Sequence, residues 1–391
     1  MRIGIDASCW WNRRGFGRFT RGLLPALFAA SRGYRYCLFV DQAPESEMIH
    51  ADVSVVEVKV ARPVTKSAVA NDHRSLGDIR SFSRAVAGEP LDLMFFPAVY
   101  SWFPISRRVP TVITLHDAIA EHFPRLIFAS LSGRLFWSLK MRLACQRAAG
   151  IITVSKAAKN EIINYIGLKP ERIDVICEGA DPCFHPVTAE ATRAAARQRA
   201  RIPTDGRMIL YVGGVAPHKN LANLLAGFAE IAPSLPDLQL AIVGDPRGDG
   251  FHSNYQDIIA RAGSHTNLKG RVHFTGYVTD DDLAALYSDA LALVLPSFSE
   301  GFGLPALEAI SCGTPVLTSR AGAVAEIVDG AGLTFDPHTP SDIGQQIYRL
   351  ANDSTTLSVL RRRAVERARH YSWSKAADLT LKSFERCAGR L

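Results

Sequence analysis

Two glutamates flank a glycine-rich segment and are the residues of this 391-residue chain best suited to chemistry. Glu300 begins the run EGFGLPALE, and Glu308 ends it after seven intervening residues. Pro305 suits the first turn of a helix, where its missing N–H costs no hydrogen bond. A helix that begins here places Glu308 in its first turn and directs successive amides toward an anion. The segment therefore predicts a phosphate site formed by the amides of Phe302, Gly303 and Leu304.

The two carboxylates place a condition on what this site binds. Negative charges beside a phosphate are unfavourable unless each carboxylate accepts hydrogen bonds from hydroxyl groups. A sugar at Glu300 and a ribose at Glu308 would supply those hydroxyls. We therefore expect both glutamates to face the loop, while the apolar side chains of the helix pack inward. The ordinary preference for acidic residues at helix N-termini accounts for Glu308 but not for the glycine-rich run.

A second candidate anion site follows the apolar segment Met208–Val212. Gly213 and Gly214 end the segment, and Lys219 stands at the start of the next helical pattern. Glycine allows the backbone to approach a phosphate closely, and a lysine neutralises one as a point charge. The GxxxxGK[ST] pattern of a Walker loop is absent. The pattern favours phosphate binding, with a surface lysine beside a turn as the alternative.

Two further candidates lie in the first half of the chain. His116 and Asp117 follow a strictly apolar strand pattern, where a histidine can hydrogen-bond a substrate hydroxyl. The alternative is a buried histidine that is bonded to a backbone carbonyl. Gly15 and Gly17 precede a helical pattern, so this segment is either an anion-binding loop or a plain turn.

Short apolar runs alternate with helical patterns along the whole chain, which predicts the elements that position these residues. This alternation is typical of parallel sheets covered by helices on both faces. Ligands of such sheets bind beyond the carboxyl ends of the strands. The candidate segments above, except the one with Gly15 and Gly17, lie in loops that follow a predicted strand. The predicted strands are Arg2–Asp6, Arg35–Val40, Val53–Val60, Leu93–Phe96, Thr111–Leu115, Gly150–Val154, Ile173–Ile176, Met208–Val212, Gln239–Val243, Val272–Thr275, Ala290–Leu295, Pro315–Thr318 and Gly332–Phe335.

The alternation breaks once, between about residues 181 and 206, where three prolines bracket an Ala- and Arg-rich segment. We interpret this break as a linker between two α/β domains. The predicted domains are residues 1–186 and 187–372, followed by a C-terminal segment, 373–391, that contains a long helix.

Composition excludes several classes of protein. With 47% hydrophobic and 21% charged residues, the chain is neither disordered nor fibrous. It contains no apolar run of membrane-spanning length, and its first residues are typical of a strand rather than a signal peptide. Seven scattered cysteines without a CxxC pair argue against a disulfide scaffold or a zinc site. A reducing cytoplasm is the expected compartment.

Charge is distributed unevenly, which suggests an anionic partner. Residues 1–186 carry a net charge of +7 and residues 361–391 carry +6, whereas residues 187–360 carry −6. Phosphates or acidic lipids fit this pattern better than nucleic acid, because no aromatic residues are interleaved with the basic ones. An ordinary Arg-rich surface is the alternative. The basic and apolar segment Leu135–Arg147 is either an interfacial helix or, the interpretation we favour, a helix packed on its own sheet.

Taken together, these motifs resemble the retaining glycosyltransferases of family 4 (GT4), which have the GT-B fold of two Rossmann-like domains. The resemblance runs nearly from end to end. Glu300 to Ala309 matches the family's E-x7-E motif, and Val212 to Asn220 matches its phosphate-binding segment. His116-Asp117, Gly15-Phe16-Gly17 and Tyr371-Ser372-Trp373 match the donor-sugar histidine, the N-terminal glycine loop and the closing segment that crosses back onto the first domain.

The resemblance implies a role for each residue. Glu300 would contact hydroxyls of the donor sugar, Glu308 would contact the ribose, and His116 would orient the sugar near its anomeric carbon. Gly15, Gly17, Gly214, Lys219 and the amides of residues 302–304 would surround the diphosphate. Many relatives carry Arg where this chain has Gly214, so one cation fewer neutralises the donor.

The implied reaction is hexosyl transfer with retention from a GDP- or UDP-sugar co-substrate to a saccharide or lipid-linked saccharide, without a metal or cofactor. The expected setting is polysaccharide or cell-envelope synthesis in the cytoplasm, with peripheral contact to the inner face of the plasma membrane. A sugar-nucleotide epimerase, a phosphorylase, a dehydrogenase and a non-catalytic nucleotide-binding module are the alternatives. The E-x7-E motif argues against the epimerase, and the missing GxGxxG pattern argues against the dehydrogenase.

Overall fold

The computed structural model describes residues 1–12, 15–30, 32–61, 63, 74–128, 130–244, 254–320 and 322–389. The chain forms two compact units, and each has its own hydrophobic core. The first comprises residues 1–179 and 372–391, and the second comprises residues 180–371. The observed division after Gly179 lies seven residues before the one predicted from the proline-rich break.

The first unit is built on a parallel sheet of seven described strands. They are arranged in the order β3-β2-β1-β4-β5-β6-β7, so the topological switch lies between β1 and β4. The central strands are buried on both faces, as their continuous apolar sequences predict. The bounds are β1 Arg2–Asp6, β2 Arg35–Val40, β3 Val53–Glu57, β4 Leu93–Phe96, β5 Thr111–Thr114, β6 Gly150–Thr153 and β7 Ile173–Val175.

Helices cover this sheet, and the helices that begin at Gly15 and Leu131 start one turn before Phe19 and Leu135, where the helical patterns of the sequence begin. The bounds are α1 Gly15–Ala29, α2 Leu76–Ala87, α3 Ile119–His122, α4 Pro124–Ile127, α5 Leu131–Arg147 and α6 Lys156–Glu161, the last continued by a π-helical turn, Ile162–Ile166. Gly15 and Gly17 are therefore in the first turn of α1, not in a loop before it. The sequence analysis missed α2, whose start is stabilised by Ser75 accepting a hydrogen bond from the amide of Asp78.

The second unit repeats this architecture with six described parallel strands in the order β10-β9-β8-β11-β12-β13. Their bounds are β8 Arg207–Val212, β9 Leu238–Val243, β10 Val272–Gly276, β11 Ala292–Leu295, β12 Val316–Ser319 and β13 Gly332–Phe335. Across both sheets the predicted strand ends agree with the observed ones within two residues, except that β3 ends at Glu57 rather than Val60. The prediction of a doubly wound α/β fold is confirmed.

The helices of the second unit include the segment that we interpreted as a linker. The bounds are α7 Glu190–Arg199, α8 Leu221–Ile231, α9 Tyr255–Ser264, α10 Asp280–Asp289, α11 Leu304–Ser311, α12 Ala323–Val328, α13 Pro340–Asn352 and α14 Ser354–Ala368. The Ala- and Arg-rich segment forms α7 and packs on α10, so the linker interpretation is wrong. Its buried Arg197 forms a 2.5 Å ion pair with Asp289, an anchor that alanine content and proline spacing do not reveal.

The last helix, α15 Trp373–Cys387, belongs to the first unit and packs along α1. A glycine makes this approach possible, because a Cβ atom on Gly22 would lie 2.1 Å from the Trp373 ring. Near the other end of α15, the Phe384 ring meets Phe95 of β4 with centroids 5.0 Å apart. In the described part of the chain, none of the helices combines the length and apolar character that a membrane span requires.

Candidate functional site

A partly buried ion pair joins the two loops that the sequence identifies as anion sites. Lys219 Nζ lies 2.7 Å from both carboxylate oxygens of Glu300, although the residues are 81 positions apart. Ser297 Oγ donates a further 2.7 Å hydrogen bond to Glu300 Oε1. The sequence analysis assigned Lys219 to a phosphate and Glu300 to a sugar. In this structure each of them neutralises the other.

The loops after β8 and β11 meet because polar groups connect their backbones. Asn220, at the N-terminus of α8, adopts a left-handed conformation and donates to the carbonyls of Pro296 and Pro337 at 3.0 and 2.7 Å. The amide of Phe298 donates to the carbonyl of His218 at 2.9 Å. These bonds hold Lys219 opposite Glu300, since β8 and β11 are neighbours in the sheet.

The charge state of the pair follows from its surroundings. Burial alone opposes ionisation of Glu300, but the adjacent Lys219 ammonium and the Ser297 hydroxyl outweigh it and hold the pKa of Glu300 below its ordinary value. Burial lowers the pKa of His218 to about 4, and the positive Lys219 beside it acts in the same direction. At neutral pH the loop therefore presents one ammonium and one carboxylate, with His218 uncharged.

A small pocket opens beside this ion pair and is rich in hydroxyl groups. Ser319 Oγ donates to the carbonyl of Ser297 at 2.6 Å, which ties the ends of β11 and β12 together. These hydroxyls were missed by the sequence analysis, although Thr318 ends a predicted strand at the ligand-binding edge and Ser319 follows it. The pocket is lined by Ser297, Ser299, Glu300, Thr318, Ser319, Gly322, Ala323 and Val324.

The predicted amide site lies at the start of α11. Gly303 takes a φ of 96° at the helix N-cap, a conformation that favours glycine, and Pro305 occupies the first turn. Among the described residues, none accepts a hydrogen bond from the amides of Phe302, Gly303 and Leu304. The segment therefore retains the free donors that an anion requires, as a helix N-terminus does.

Replacing Gly303 by Ala tests how far this loop depends on its backbone. A Cβ atom at this position would lie 2.6 Å from Val324 Cγ2 and would have to be accommodated at positive φ. We expect a loss of about 1–3 kcal/mol in the free energy of unfolding, measured by urea denaturation. Gly330→Ala is the matched control, because it has positive φ but no neighbour near its Cβ position. Equal losses in both variants would contradict a specific role of packing at Gly303.

Glu308 does not face the loop as expected. It lies in the second turn of α11, not the first, and is almost completely buried. Its Oε2 accepts a 3.2 Å hydrogen bond from the hydroxyl of Tyr287 on α10. The expectation that both glutamates face the loop is therefore not met at Glu308, because the register of α11 brings this side chain to Tyr287 of α10.

The glycine pair after β8 divides into one constrained and one open position. Gly213 has a φ of 151°, and a Cβ atom there would lie 3.1 Å from the hydroxyl of Tyr211. That hydroxyl donates to the carbonyl of Gly214 at 2.6 Å and fixes the turn. Gly214 is exposed, and its Cβ position has no neighbour within 4 Å. The backbone at Gly214 thus leaves room for a ligand or for a larger side chain.

His116 is packed among aromatic rings, hydrogen-bonded through Nε2 and close to a carboxylate at Nδ1. Its Nε2 lies 2.8 Å from the carbonyl of Pro97 and must carry the proton of that bond, while Nδ1 lies 3.6 Å from Glu178 Oε1. The rings of Phe16 and Phe19 pack against the imidazole at 5.0 and 4.7 Å. Of the two interpretations the sequence left open, this geometry favours a buried histidine bonded to a carbonyl. Sequence reasoning missed Glu178, whose pKa is raised by burial.

Gly15 and Gly17 differ in what surrounds them. A Cβ atom on Gly17 would lie 1.6 Å from the carbonyl oxygen of Asn12, so this glycine is required by backbone packing. Gly15 has no neighbour within 4 Å of its Cβ position. The space around Gly15 leaves room for an anion at the start of α1, whereas backbone packing against Asn12 explains why position 17 is a glycine.

Acidic residues of the described chain do not assemble into a metal site. No group of three or more His, Cys, Asp or Glu side chains among the described residues has metal-ligand geometry. The run Asp280–Asp282 forms the first turn of α10, where Asp282 pairs with Arg199. This acidic run therefore has a structural role in α10.

Comparison with family models covers both units of the chain. Residues 14–183 match the model described as Glycosyltransferase Family 4, and residues 192–371 match the model described as Glycosyl transferases group 1. The chain is 26% identical to the serotype-specific mannosyltransferase WbdA of Escherichia coli over 99% of its own length, and it covers 48% of that protein. It is 31% identical to a D-inositol 3-phosphate glycosyltransferase of Mycolicibacterium vanbaalenii, with 73% of this chain and 64% of the relative covered.

Solved structures share the fold at low sequence identity. The sucrose-phosphate synthase of Thermosynechococcus elongatus superposes with a TM-score of 0.76 and 20% identity, covering 99% of this chain and 98% of that one. Anabaena HepE in complex with UDP-glucose gives a TM-score of 0.72 and 19% identity, covering 98% and 99%. These likenesses establish the architecture of two parallel-sheet domains.

Proposed function

Because this chain belongs to the family 4 glycosyltransferases and has the GT-B fold, we propose that it transfers a hexosyl unit from a nucleotide-diphosphate sugar to a saccharide acceptor. It spans about half the length of the mannosyltransferase WbdA, so donor, acceptor and product are proposed for this chain alone. The likeness to WbdA supports mannose as the transferred sugar and GDP-mannose as the first donor to test.

One observation carries the proposal, namely the Lys219–Glu300 pair. Glu300 lines the hydroxyl-rich pocket and lies two residues before the first of the free amides, those of residues 302–304. The ammonium and the amides of residues 302–304 suit a diphosphate, and Glu300 with its serine neighbours suits sugar hydroxyls. A donor diphosphate would attract Lys219 away from Glu300. The released carboxylate would then accept hydrogen bonds from the sugar.

Glycosyl transfer leaves negative charge on the departing diphosphate. Fixed amide donors and an ammonium stabilise that charge as it develops, which is a principal way in which enzymes lower such barriers. We propose that Lys219 and the Phe302–Leu304 amides perform this role without a metal ion. Transfer then proceeds with retention on the same face of the sugar, the leaving phosphate accepting the proton of the acceptor hydroxyl.

Two further residues receive roles in this proposal. Glu308 binds the ribose once its hydrogen bond from Tyr287 is exchanged for one from a ribose hydroxyl. His116 orients the donor sugar through its imidazole, which requires exchange of the bond to Pro97 or the contact with Glu178. The acceptor is a glycan or a lipid-linked saccharide at the cytoplasmic side of the cell envelope.

Thermal unfolding of the full chain with UDP, GDP or ADP, and with their common sugar conjugates, tests the donor site. Selective stabilisation by one nucleotide without added metal is expected, with a size of about RT ln(1 + [L]/Kd). A screen of acceptors with that nucleotide's sugars then tests transfer. If no nucleotide raises the unfolding temperature, donor binding is contradicted. Binding without transfer to any acceptor would favour the alternative of a non-catalytic nucleotide-binding protein.

A further inference from the structure

Glu178 is a buried carboxyl group with an incomplete set of hydrogen bonds. It lies in the loop after β7, and 3% of the residue is exposed. Its Oε1 is 3.6 Å from His116 Nδ1, and its Oε2 has no hydrogen-bond partner among the described residues. Burial raises the pKa of Glu178, and the imidazole acts in the opposite direction. Buried polar groups without full partners are uncommon in folded proteins, and titratable ones are frequent at functional sites.

The geometry requires a proton between Glu178 and His116. The Nε2 atom of His116 donates its hydrogen to the carbonyl of Pro97, 2.8 Å away. A neutral imidazole has a single N–H, so its Nδ1 would face Glu178 with a lone pair. A buried carboxylate opposite that lone pair is repelled, whereas a proton on either group makes the contact attractive. The pair is therefore either a carboxylic acid beside a neutral imidazole or a carboxylate beside an imidazolium.

Both forms of the pair leave the far side of the imidazole in the same state. In the first form the carboxylic acid donates to Nδ1, and in the second form Nδ1 itself carries the hydrogen. The Nε2 atom keeps its hydrogen in both forms, because the bonding at one ring nitrogen sets the role of the other. With Glu178 at Nδ1, His116 therefore offers a hydrogen-bond donor at Nε2 and not an acceptor.

Packing around the imidazole keeps its Nδ1 directed at the carboxyl group. The rings of Phe16 and Phe19 on α1 meet the imidazole edge-on, with centroids 5.0 and 4.7 Å away. A Cβ atom on Gly179 would lie 2.4 Å from the backbone nitrogen of Trp373, so the chain directly after Glu178 is packed against the start of α15. The ring and the carboxyl group are thus held from both sides within the first unit.

We propose that Glu178 is a positioning residue that keeps His116 a hydrogen-bond donor at Nε2 toward an oxygen of the transferred sugar. The inference rests on the proposed function, in which His116 orients the donor sugar. Pro97 holds the same tautomer only while its carbonyl accepts the bond, and a sugar oxygen that takes its place ends that constraint. Glu178 still acts on Nδ1 at that moment. His116 then serves as a donor and not as a base, which agrees with transfer of the acceptor proton to the leaving phosphate.

Nitrogen-15 NMR of the full chain with labelled histidine tests the state of the ring, and His116→Gln identifies its signals. In the unmodified chain we expect a hydrogen on Nε2 and an Nδ1 that either holds the shared proton or accepts it. In Glu178→Leu, which has no polar side-chain atom, Nδ1 should become a bare acceptor. Glu178→Gln should restore the bonded state, because its amide can donate to Nδ1. A bare Nδ1 in the unmodified chain, or an unchanged Nδ1 in Glu178→Leu, would overturn the proposal.

Transfer kinetics show whether this state of the ring matters for the reaction. Glu178→Leu should lower kcat by about 10- to 100-fold, the usual cost of removing the partner that orients a functional histidine. Glu178→Gln should recover most of that rate. The Kd for GDP should stay the same, because neither variant alters a group assigned to the diphosphate. Glu171→Gln, at an exposed position before β7, is the matched control and should transfer at the rate of the unmodified chain.

The kinetic results that contradict the proposal are also specific. Full activity of Glu178→Leu, or an equal loss in the Leu and Gln variants, would remove Glu178 from the positioning of His116. A rate that falls only as far as the folded fraction, measured by thermal unfolding, would assign Glu178 to stability alone. The ring signals are recorded without donor or acceptor, so this inference can fail while transfer persists. Failure of the proposed function is recognised separately, as the absence of nucleotide binding by the unmodified chain.

Discussion

Replacing Glu300 by Gln is expected to lower the rate of transfer by about 10²- to 10³-fold, the usual cost of removing one group that acts on the reacting centre. Glutamine keeps the shape of the side chain but removes the negative charge. That charge pairs with Lys219, and the carboxylate accepts the hydrogen bond from the Ser297 hydroxyl. Affinity for the nucleoside diphosphate should stay equal or rise, because Lys219 no longer has a carboxylate partner. Steady-state kcat and calorimetric Kd values separate the two effects.

Glu230→Gln is the control for this variant. It makes the same change in net charge at an exposed position on α8 of the same unit. Its transfer rate should match that of the unmodified chain. A Glu300→Gln enzyme with full activity would remove Glu300 from the mechanism, whereas a parallel loss of nucleotide affinity would place it on the nucleotide instead of the sugar.

Replacing Lys219 by Ala is expected to weaken binding of nucleoside diphosphates by about 10- to 100-fold, the cost of a charge-assisted hydrogen bond to an anion. Binding of the corresponding nucleoside should hardly change. The variant also leaves the partly buried Glu300 without its cation, which raises the pKa of Glu300 and adds repulsion between its ionised form and a phosphate. Calorimetric titration with nucleoside, monophosphate and diphosphate measures the dependence on phosphate.

Lys269→Ala, at an exposed position of the same unit, provides the comparison for charge alone. Both variants lose one positive charge, so the general electrostatic loss of affinity for the diphosphate should be the same in both. Any further loss in Lys219→Ala therefore reports a contact that depends on the position of Lys219. Should nucleoside and diphosphate lose affinity by the same factor, Lys219 does not contact the phosphates.

The sequence by itself determined the fold and the edge of each sheet at which chemistry is expected. Parallel strands that are buried on both faces appear in the sequence as continuous apolar runs, and this pattern does not depend on the details of tertiary packing. Glu300 and Lys219 were identifiable because glycine, proline and helix-start patterns follow strands directly. These are local rules, since they depend on neighbours within a few residues.

Only the tertiary structure decided which partner each side chain meets. Lys219 and Glu300 pair across 81 residues, Glu308 meets Tyr287 of another helix, and His116 meets Pro97 and Glu178. Helix α5 illustrates the same limit, because the sequence left open whether its apolar residues pack on their own sheet, and only the structure shows that Trp137, Met141, Ala144 and Cys145 are the buried ones. Such contacts depend on the relative placement of elements far apart in the chain, and that placement is set by packing of the whole unit rather than by local pattern.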